Sequence, residues 1–297
     1  IILFDAYAEN PFAMPLGRKV AEEDICEADV VIYVISRISG EGKDRRKVKG
    51  DTILSEREEE DLRYLAEMNK PVILILNAGG PVELTDILEQ TDNIKGILNI
   101  SQLGQEGGDA LADVLLGKEV PGGKLTTTWA RRYEDYPASE EYGYLNGNLE
   151  KEKYKEGIYV GYRYFDSFDK KVMFPFGFGL SYTMFEMMCC SINMKESKIR
   201  AEVQVTNTGN EYAGKEVVQI YVTLPQTELE KEYKRLAGFA KTRLLKPGET
   251  QTLTVEIPQK QLASFNEKTH TWIVEKGKYG ILVGNRFRQL KLEAVLV

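Results

Sequence analysis

The period of the hydrophobic pattern changes part-way along this chain, and that change constrains the fold more than any other feature. From Val30 to about Gly117, short apolar runs alternate with helical patterns. From about Lys198, apolar and polar residues alternate one by one, as in residues 199–206. The first pattern predicts an α/β layer with a mostly parallel sheet and flanking helices. The second predicts antiparallel strands that each bury one face.

The first region is predicted to hold three strands, at Val30–Ile35, Val72–Leu76 and Ile94–Ile100. A helix should follow Ser55, because Ser55 and Glu58 have the spacing of a capping box. Further helices are expected from Pro81 through Leu88 and from Glu106 to Leu116, the latter ending at Gly117.

The second region is predicted to be an antiparallel β-sandwich of seven short strands. Turn sequences separate the strands, which are expected at residues 199–206, Val217–Val222, Leu236–Thr242, Thr252–Ile257, Thr271–Val274, Tyr279–Val283 and Leu290–Val295. The stretch between the two regions, residues 142–180, is rich in Tyr and Gly and has no clean period. We expect it to be irregular chain packed between domains 1–180 and 181–297.

Composition argues against several classes of function. The 297 residues carry 39 basic and 46 acidic side chains, a net charge of -7, so no basic face for nucleic acid is expected. No apolar run reaches the length of a membrane span. The 3 cysteines fit neither a disulfide framework nor a metal-binding spacing, which favours a cytoplasmic location. With a single histidine, neither a zinc site nor a His-based triad is expected. We expect no metal and no cofactor. The chain begins at Ile1, inside an apolar run, and is expected to be part of a longer protein.

The segment SGEGKDR, from Ser39 to Arg45, holds the leading candidate for chemistry. Glu41 lies between two glycines on a long loop that leaves the carboxyl end of a predicted strand, where open α/β sheets bind ligands. One interpretation is a general acid that reaches into a cleft. The other is a solvated charged loop, with Glu41 paired to one of the surrounding basic residues, which are Arg37, Lys43, Arg45, Arg46, Lys47 and Lys49.

Other candidates are open to two interpretations as well. Asp44 is a possible second carboxylate, but beside Arg45 and Arg46 it is better explained as an ion-pair partner. Glu106, in GQEGG, is better explained as an acid in the first turn of a helix. An aromatic cluster could form a sugar-stacking platform or a packed interdomain core; its members are Tyr159, Tyr162, Tyr164, Phe165, Phe174, Phe176 and Phe178.

Several motifs occur in one order that resembles the C-terminal portion of glycoside hydrolase family 3. They are SRISGEGKDR with the following KGD, ILNAGGPVEL, GQEGGDALADVLLGKEVPGGKL, EGIYVGYRYFD and FPFGFGLSYT. VTNTGNEYAGKEVVQIYV and LAGFAKTRLLKPGET are similar to the family's fibronectin type III-like domain. The resemblance implies an α/β sandwich domain followed by an immunoglobulin/fibronectin III-like sandwich, covering most of the chain after residue 30.

The resemblance also implies a function. Family members of this kind are retaining exo-β-glycosidases, most often β-glucosidases that act on terminal β-D-glucosyl residues of glucosides or oligosaccharides. Their nucleophile is an Asp on a TIM-type barrel, and no segment here resembles that motif. The barrel is expected on the same polypeptide or on a separate chain, and the isolated chain should be inactive. The motif match assigns the general acid/base to Glu41.

Residues beside Glu41 depart from the family pattern. Lys43 replaces a frequent aromatic residue and Arg46 a frequent proline, so aglycone contacts are expected to differ. Lys43, Asp44 and Arg45 are candidate substrate-binding residues. The alternatives are a β-xylosidase or another β-glycosidase of the family, or a non-catalytic module that binds carbohydrate or a partner domain. An exposed apolar face for the barrel would also permit a homo-oligomer.

Overall fold

The computed structural model describes residues 3–6, 19–38, 44–142, 150–151, 153–195, 197–285 and 291–296. The chain divides into two compact units. The first comprises residues 1–112 and 130–152, and the second residues 113–129 and 153–297. The boundary expected between residues 180 and 181 stays a prediction.

A four-stranded parallel sheet forms the centre of the first unit. Its strands, in spatial order, are β1 (Leu3–Ala6), β2 (Val31–Ser36), β3 (Val72–Asn77) and β4 (Ile94–Asn99). The side chains of Val31, Tyr33 and Ile35 on β2 are completely buried, as are those of Leu74 and Leu76 on β3. Apolar strands covered on both faces are typical of parallel sheets. The predicted α/β architecture is confirmed.

Short helices accompany this sheet: α1 (Glu22–Ile25), α2 (Glu56–Glu67), α3 (Thr85–Gln90) and α4 (Gly107–Leu115), with a 3₁₀ turn at Tyr133–Asp135. The capping box of α2 forms as predicted. The Glu58 N–H donates to Ser55 Oγ at 3.2 Å, and the Ser55 N–H donates to Glu58 Oε2 at 2.7 Å. Leu62 and Leu65 of α2 are fully buried.

The predicted start of the third helix was wrong. The sequence places Pro81 in the first turn, whereas α3 begins at Thr85, after Leu84 as its N-cap. Residues 81–84 are instead held by long-range hydrogen bonds. The Glu83 N–H donates to the carbonyl oxygen of Thr52 at 2.7 Å, and Arg45 donates to that of Pro81. These contacts override the local preference of proline for a helix start.

The second unit holds nearly all of the remaining strands. Those of the sandwich are β7 (Phe185–Lys195), β8 (Lys198–Asn207), β9 (Val217–Thr223), β10 (Lys234–Lys241), β11 (Thr250–Pro258), β14 (Tyr279–Gly284) and β15 (Lys291–Leu296). β12 (Ser264–Asn266) and β13 (Thr271–Ile273) form a separate hairpin, preceded by a 3₁₀ turn at Gln259–Leu262. β6 (Val172–Phe174) and the helix α5 (Tyr162–Ser167) also belong to this unit, whereas the short strand β5 (Trp129–Ala130) spans the sequence boundary between the two units.

Two antiparallel sheets, β10-β9-β14-β15 and β11-β8-β7, face one another. Their shared core contains Val203 and Val205 from β8 and Val218, Ile220 and Val222 from β9, all completely buried. The β8 residues alternate with polar ones, which is the pattern that predicted this strand. On β9 both faces are buried, including Gln219 and Tyr221. The sandwich is confirmed, but the strand predicted at Thr271–Val274 was wrongly assigned to it, because among the described strands β13 pairs only with β12.

Two features of the second unit were missed in the sequence. β7 was not predicted because its pairing register with β8 shifts between Cys189 and Ser191. A bulge of this kind breaks the period of two by which a strand is recognised. The stretch 142–180, expected to be irregular, contains α5 and β6, which are too short to produce a clear periodicity.

Candidate active site

The candidate site lies after β2, at the carboxyl end of the parallel sheet. β2 ends at Ser36, and the structure describes residues 37–38 and 44–54 of the loop that follows. Glu41 and Lys43 belong to residues 39–43, outside the described part of the chain, so their roles stay predictions. The residues on either side of this segment show how its two ends are held.

Arg37, before the segment, is buried against Glu58 of α2. Its two terminal nitrogens donate to the two carboxylate oxygens of Glu58 at 2.7 Å each, and its Nε donates to the carbonyl oxygen of Asp51 at 2.7 Å. The Arg37 and Glu58 side chains are 2% and 0% exposed. Bidentate charged hydrogen bonds of this kind are short and strong. Arg37 is therefore buried and paired, which does not fit the interpretation of the whole loop as a solvated charged one.

Arg45, after the segment, is held by Asp51. Its Nε donates to Asp51 Oδ1 at 2.9 Å, one terminal nitrogen donates to the Asp51 carbonyl oxygen at 2.7 Å, and the other donates to the carbonyl oxygen of Pro81 at 2.7 Å. Burial lowers the pKa of the Arg45 guanidinium, while the hydrogen bond and the charge of Asp51 favour its protonated form. These contacts connect Arg45 to Asp51 and Pro81, and its role in substrate binding stays a prediction.

Asp44 does not form the ion pair with Arg45 that the sequence suggested. Its carboxylate is exposed and accepts a hydrogen bond from the Tyr142 hydroxyl at 3.2 Å. Asp51 binds Arg45 instead, because a turn of the chain brings Asp51 close to it. The Asp51 N–H donates to the carbonyl oxygen of Val48 at 3.2 Å, and Gly50 has a φ of 81°, a conformation that favours glycine.

Asp51 was missed as a site residue. Its Oδ2 also accepts a hydrogen bond from the Arg46 N–H at 2.7 Å. The available signal was the KGD sequence, in which a glycine that permits a tight turn precedes a carboxylate. Sequence pattern could not identify the partners of that carboxylate, because arginines occur on both sides of the Glu41 segment.

Most basic side chains of the loop are neutralised by carboxylates of the same unit. Besides Arg37 and Arg45, Lys47 pairs with Glu134, and Lys49 pairs with Glu56 at 3.2 Å. These two lysine pairs are exposed and contribute little to stability. Together the four pairs reduce the net positive charge that the sequence places around Glu41.

The end of β4 adds a second contact at the same edge of the sheet. Gln102 Nε2 donates to the carbonyl oxygen of Arg37 at 3.2 Å, and sequence reasoning missed this residue. Ser101 before it has a φ of 53°, an uncommon conformation for a residue with a side chain. Glu106 is exposed and immediately precedes α4, in agreement with its interpretation as an acid at a helix start.

The aromatic cluster packs within the second unit. Phe165 is 1% exposed, and the Tyr162 ring lies against that of Phe176 with 5.0 Å between centroids. The rings of Phe174 and Phe178 stack with 5.5 Å between centroids. Because these rings contact one another, the packing interpretation describes them better than a sugar-stacking platform does.

Among the described residues, no group of three or more His, Cys, Asp or Glu side chains could hold a metal ion. No helix in the described part of the chain is long and apolar enough to cross a membrane.

Comparison with known proteins identifies the family. The model of the glycosyl hydrolase family 3 C-terminal domain matches residues 15–182, which is more than half of the chain. This chain belongs to glycosyl hydrolase family 3. The model of the fibronectin type III-like domain matches residues 216–286, within the antiparallel sandwich. The first match includes the Glu41 segment and every residue that holds its two ends.

Similar proteins are longer than this family 3 chain. It is 38% identical to beta-glucosidase A of Butyrivibrio fibrisolvens, over 93% of this chain and 38% of that protein. It is 34% identical to an exo-alpha-(1->6)-L-arabinopyranosidase of Bifidobacterium breve, over 94% of this chain and 36% of that protein. The structure of beta-glucosidase 3B from Thermotoga neapolitana, in complex with alpha-D-glucose, has a TM-score of 0.85 and 42% identity, covering 93% of this chain and 39% of that one.

Proposed function

We propose that this chain is the acid/base-bearing part of a retaining exo-β-glycosidase, most simply a β-glucosidase. Glu41 protonates the glycosidic oxygen as the aglycone leaves. It then deprotonates the water that hydrolyses the glycosyl-enzyme. The nucleophile is an Asp on a TIM-type barrel, supplied by the same polypeptide or by another chain. In a retaining enzyme the two carboxyl groups lie about 5 Å apart.

The observation that carries this proposal is the anchoring of the two residues that flank the Glu41 segment, at the carboxyl end of the parallel sheet in a family 3 chain. Arg37 and Arg45 flank the segment, and each forms hydrogen bonds with Asp51. A general acid must be positioned within hydrogen-bond distance of the leaving oxygen. Fixed flanks restrict where such a group can lie when the barrel completes the site.

Charge pairing in the loop supports the protonation state that the reaction needs. A general acid must hold its proton near neutral pH, which requires a raised carboxyl pKa. Nearby unpaired cations would lower that pKa. Arg37, Arg45, Lys47 and Lys49 each pair with a carboxylate of this chain. Their pairing therefore weakens the pKa-lowering effect that the sequence predicts for the basic residues around Glu41.

The substrate of the complete enzyme is proposed to be a β-glucoside or an oligosaccharide with a terminal β-D-glucosyl residue. Exposed Asp44 and its neighbour Lys43 are the loop residues best suited to contact the aglycone. Arg45 is less suited, because its guanidinium binds Asp51 and the carbonyl oxygen of Pro81. A β-xylosidase or another β-glycosidase of the family is the second candidate, because one similar protein is named an arabinopyranosidase. Turnover of aryl glucoside against aryl xyloside and aryl arabinopyranoside by the complete enzyme decides between them.

The isolated chain is expected to be inactive, because it supplies one of the two carboxylates that the reaction requires. We expect no release of nitrophenol from 4-nitrophenyl β-D-glucoside by the purified 297-residue chain. The complete parent enzyme, assayed in parallel, should turn over the substrate and release β-glucose first, as followed by proton NMR. Turnover by the fragment alone, or release of α-glucose first by the parent enzyme, would contradict the proposal.

A further inference from the structure

One buried residue, Asp51, contacts both sides of the Glu41 segment through its carbonyl oxygen and its carboxylate. Its carbonyl oxygen accepts from Arg37 Nε at 2.7 Å and from a terminal nitrogen of Arg45 at 2.7 Å. Its carboxylate accepts from Arg45 Nε at 2.9 Å and from the Arg46 N–H at 2.7 Å. The residue is 9% exposed. The flank before the segment and the flank after it therefore meet at a single residue.

We propose that Asp51 is a positioning residue that holds the segment carrying Glu41 by binding the arginines on both of its sides. This inference rests on the proposed acid/base role of Glu41. Asp51 does not touch the reacting atoms in this proposal. It acts by fixing the two points between which residues 38–44 must run.

The expected effect of losing Asp51 follows from how precisely catalytic groups must be positioned. Catalytic groups must be held within about 0.5 Å of their productive positions by neighbours that are themselves fixed. A displacement of about 1 Å can lower a rate by about 100-fold. Asp51 is itself fixed, because its N–H donates to the carbonyl oxygen of Val48 at 3.2 Å and its own carbonyl oxygen accepts from Arg37 Nε at 2.7 Å. The charged hydrogen bonds it receives are of the stronger kind.

The anchor before the segment is reinforced independently. Arg37 is bound by Glu58 through two hydrogen bonds of 2.7 Å, and its carbonyl oxygen accepts from Gln102. Its N–H donates to the carbonyl oxygen of Asn77 at 2.9 Å. The flank after the segment depends more heavily on Asp51, since Arg45 and Arg46 both bind its carboxylate. Loss of that carboxylate should therefore release mainly the end of the segment at residue 44.

Asp51→Asn in the complete parent enzyme tests the proposal. Asparagine retains one acceptor oxygen but places an NH₂ group against a donor from Arg45 or Arg46. We expect kcat on an alkyl β-glucoside to fall by about 10- to 100-fold, and kcat/KM on 2,4-dinitrophenyl β-glucoside to fall much less. On the activated substrate, kcat and KM should fall together, because the glycosyl-enzyme accumulates when its hydrolysis lacks a well-placed base. Azide should restore part of kcat.

Asp61→Asn is the matched control. Asp61 is a buried carboxylate of the same unit, 3% exposed, and accepts a hydrogen bond from the Tyr33 hydroxyl at 3.1 Å. Rates are expressed per active site, counted by covalent labelling of the nucleophile with an activated 2-deoxy-2-fluoro glucoside. The control should lower stability and change both substrates equally per labelled site. Arg45→Lys, which keeps the charge but loses the forked contacts, should show a weaker form of the Asp51→Asn behaviour.

Three outcomes separate this inference from the function on which it rests. If Glu41→Ala shows leaving-group dependence and azide rescue but neither Asp51→Asn nor Arg45→Lys does, the positioning role is overturned and the acid/base role stands. If Glu41→Ala shows neither effect, both proposals are overturned. If Asp51→Asn behaves as Asp61→Asn does, its role is structural only and the positioning role is again overturned.

Discussion

Replacing Glu41 with alanine in the complete parent enzyme is expected to lower kcat/KM on cellobiose and alkyl β-glucosides by about 10²- to 10⁴-fold. The reason is that a poor leaving group cannot depart without a proton donor. An aryl glucoside with an acidic phenol departs unaided, so formation of the glycosyl-enzyme from it should be nearly unaffected. Steady-state kinetics on a series of leaving groups measures this difference.

Two further readouts belong to the same variant. Small anions such as azide attack the glycosyl-enzyme without base catalysis, so added azide should raise kcat on the activated substrate and yield glycosyl azide. The basic limb of the pH profile of kcat/KM, which reports the acid, should also disappear. Glu106→Ala is the control, since Glu106 is likewise next to glycine in GQEGG and is exposed before α4. Equal losses on all substrates would contradict the assignment of Glu41.

Replacing Glu58 with alanine is expected to destabilise the first unit by about 3–5 kcal/mol, because it leaves the buried guanidinium of Arg37 without a charge partner. The same side chain also accepts the Ser55 N–H at 2.7 Å in the capping box of α2. Loss of a helix cap costs about 0.5–2 kcal/mol. Hydrogen exchange of the β2 and β3 amides, with urea unfolding followed by circular dichroism, measures the loss.

Two variants separate the contributions. Glu58→Gln can still accept from Ser55 but cannot neutralise Arg37, so it should retain the cap and lose the ion pair. Glu59→Ala removes an adjacent carboxylate on the same helix, which is 3.3 Å from Arg63 and 25% exposed. Its expected effect is about 0.3–0.5 kcal/mol. A loss for Glu58→Ala no larger than that for Glu59→Ala would show that the buried pair is not a major source of stability.

The helix α2 shows which contacts a local sequence pattern can predict and which it cannot. Ser55 and Glu58 predicted a capping box, and that box forms, because both residues belong to one helical turn. The pattern contained nothing about the second role of Glu58, which is to bind an arginine 21 positions earlier. The predicted start of α3 at Pro81 was wrong for a related reason. Arg45, 36 positions earlier, donates a hydrogen bond to the Pro81 carbonyl oxygen.

Sequence by itself determined the two architectures and the candidate acid. Hydrophobic periods of about 3.6 and 2 residues can be read from residues that are close in sequence. The ordered family motifs predict the acid/base role of Glu41. Only the tertiary structure decided which carboxylate binds which arginine. Asp44 is next to Arg45 in sequence, yet Asp51 binds it, because the turn at Gly50 reverses the chain. Ion pairs depend on distances in space, and spacing along a loop does not fix those distances.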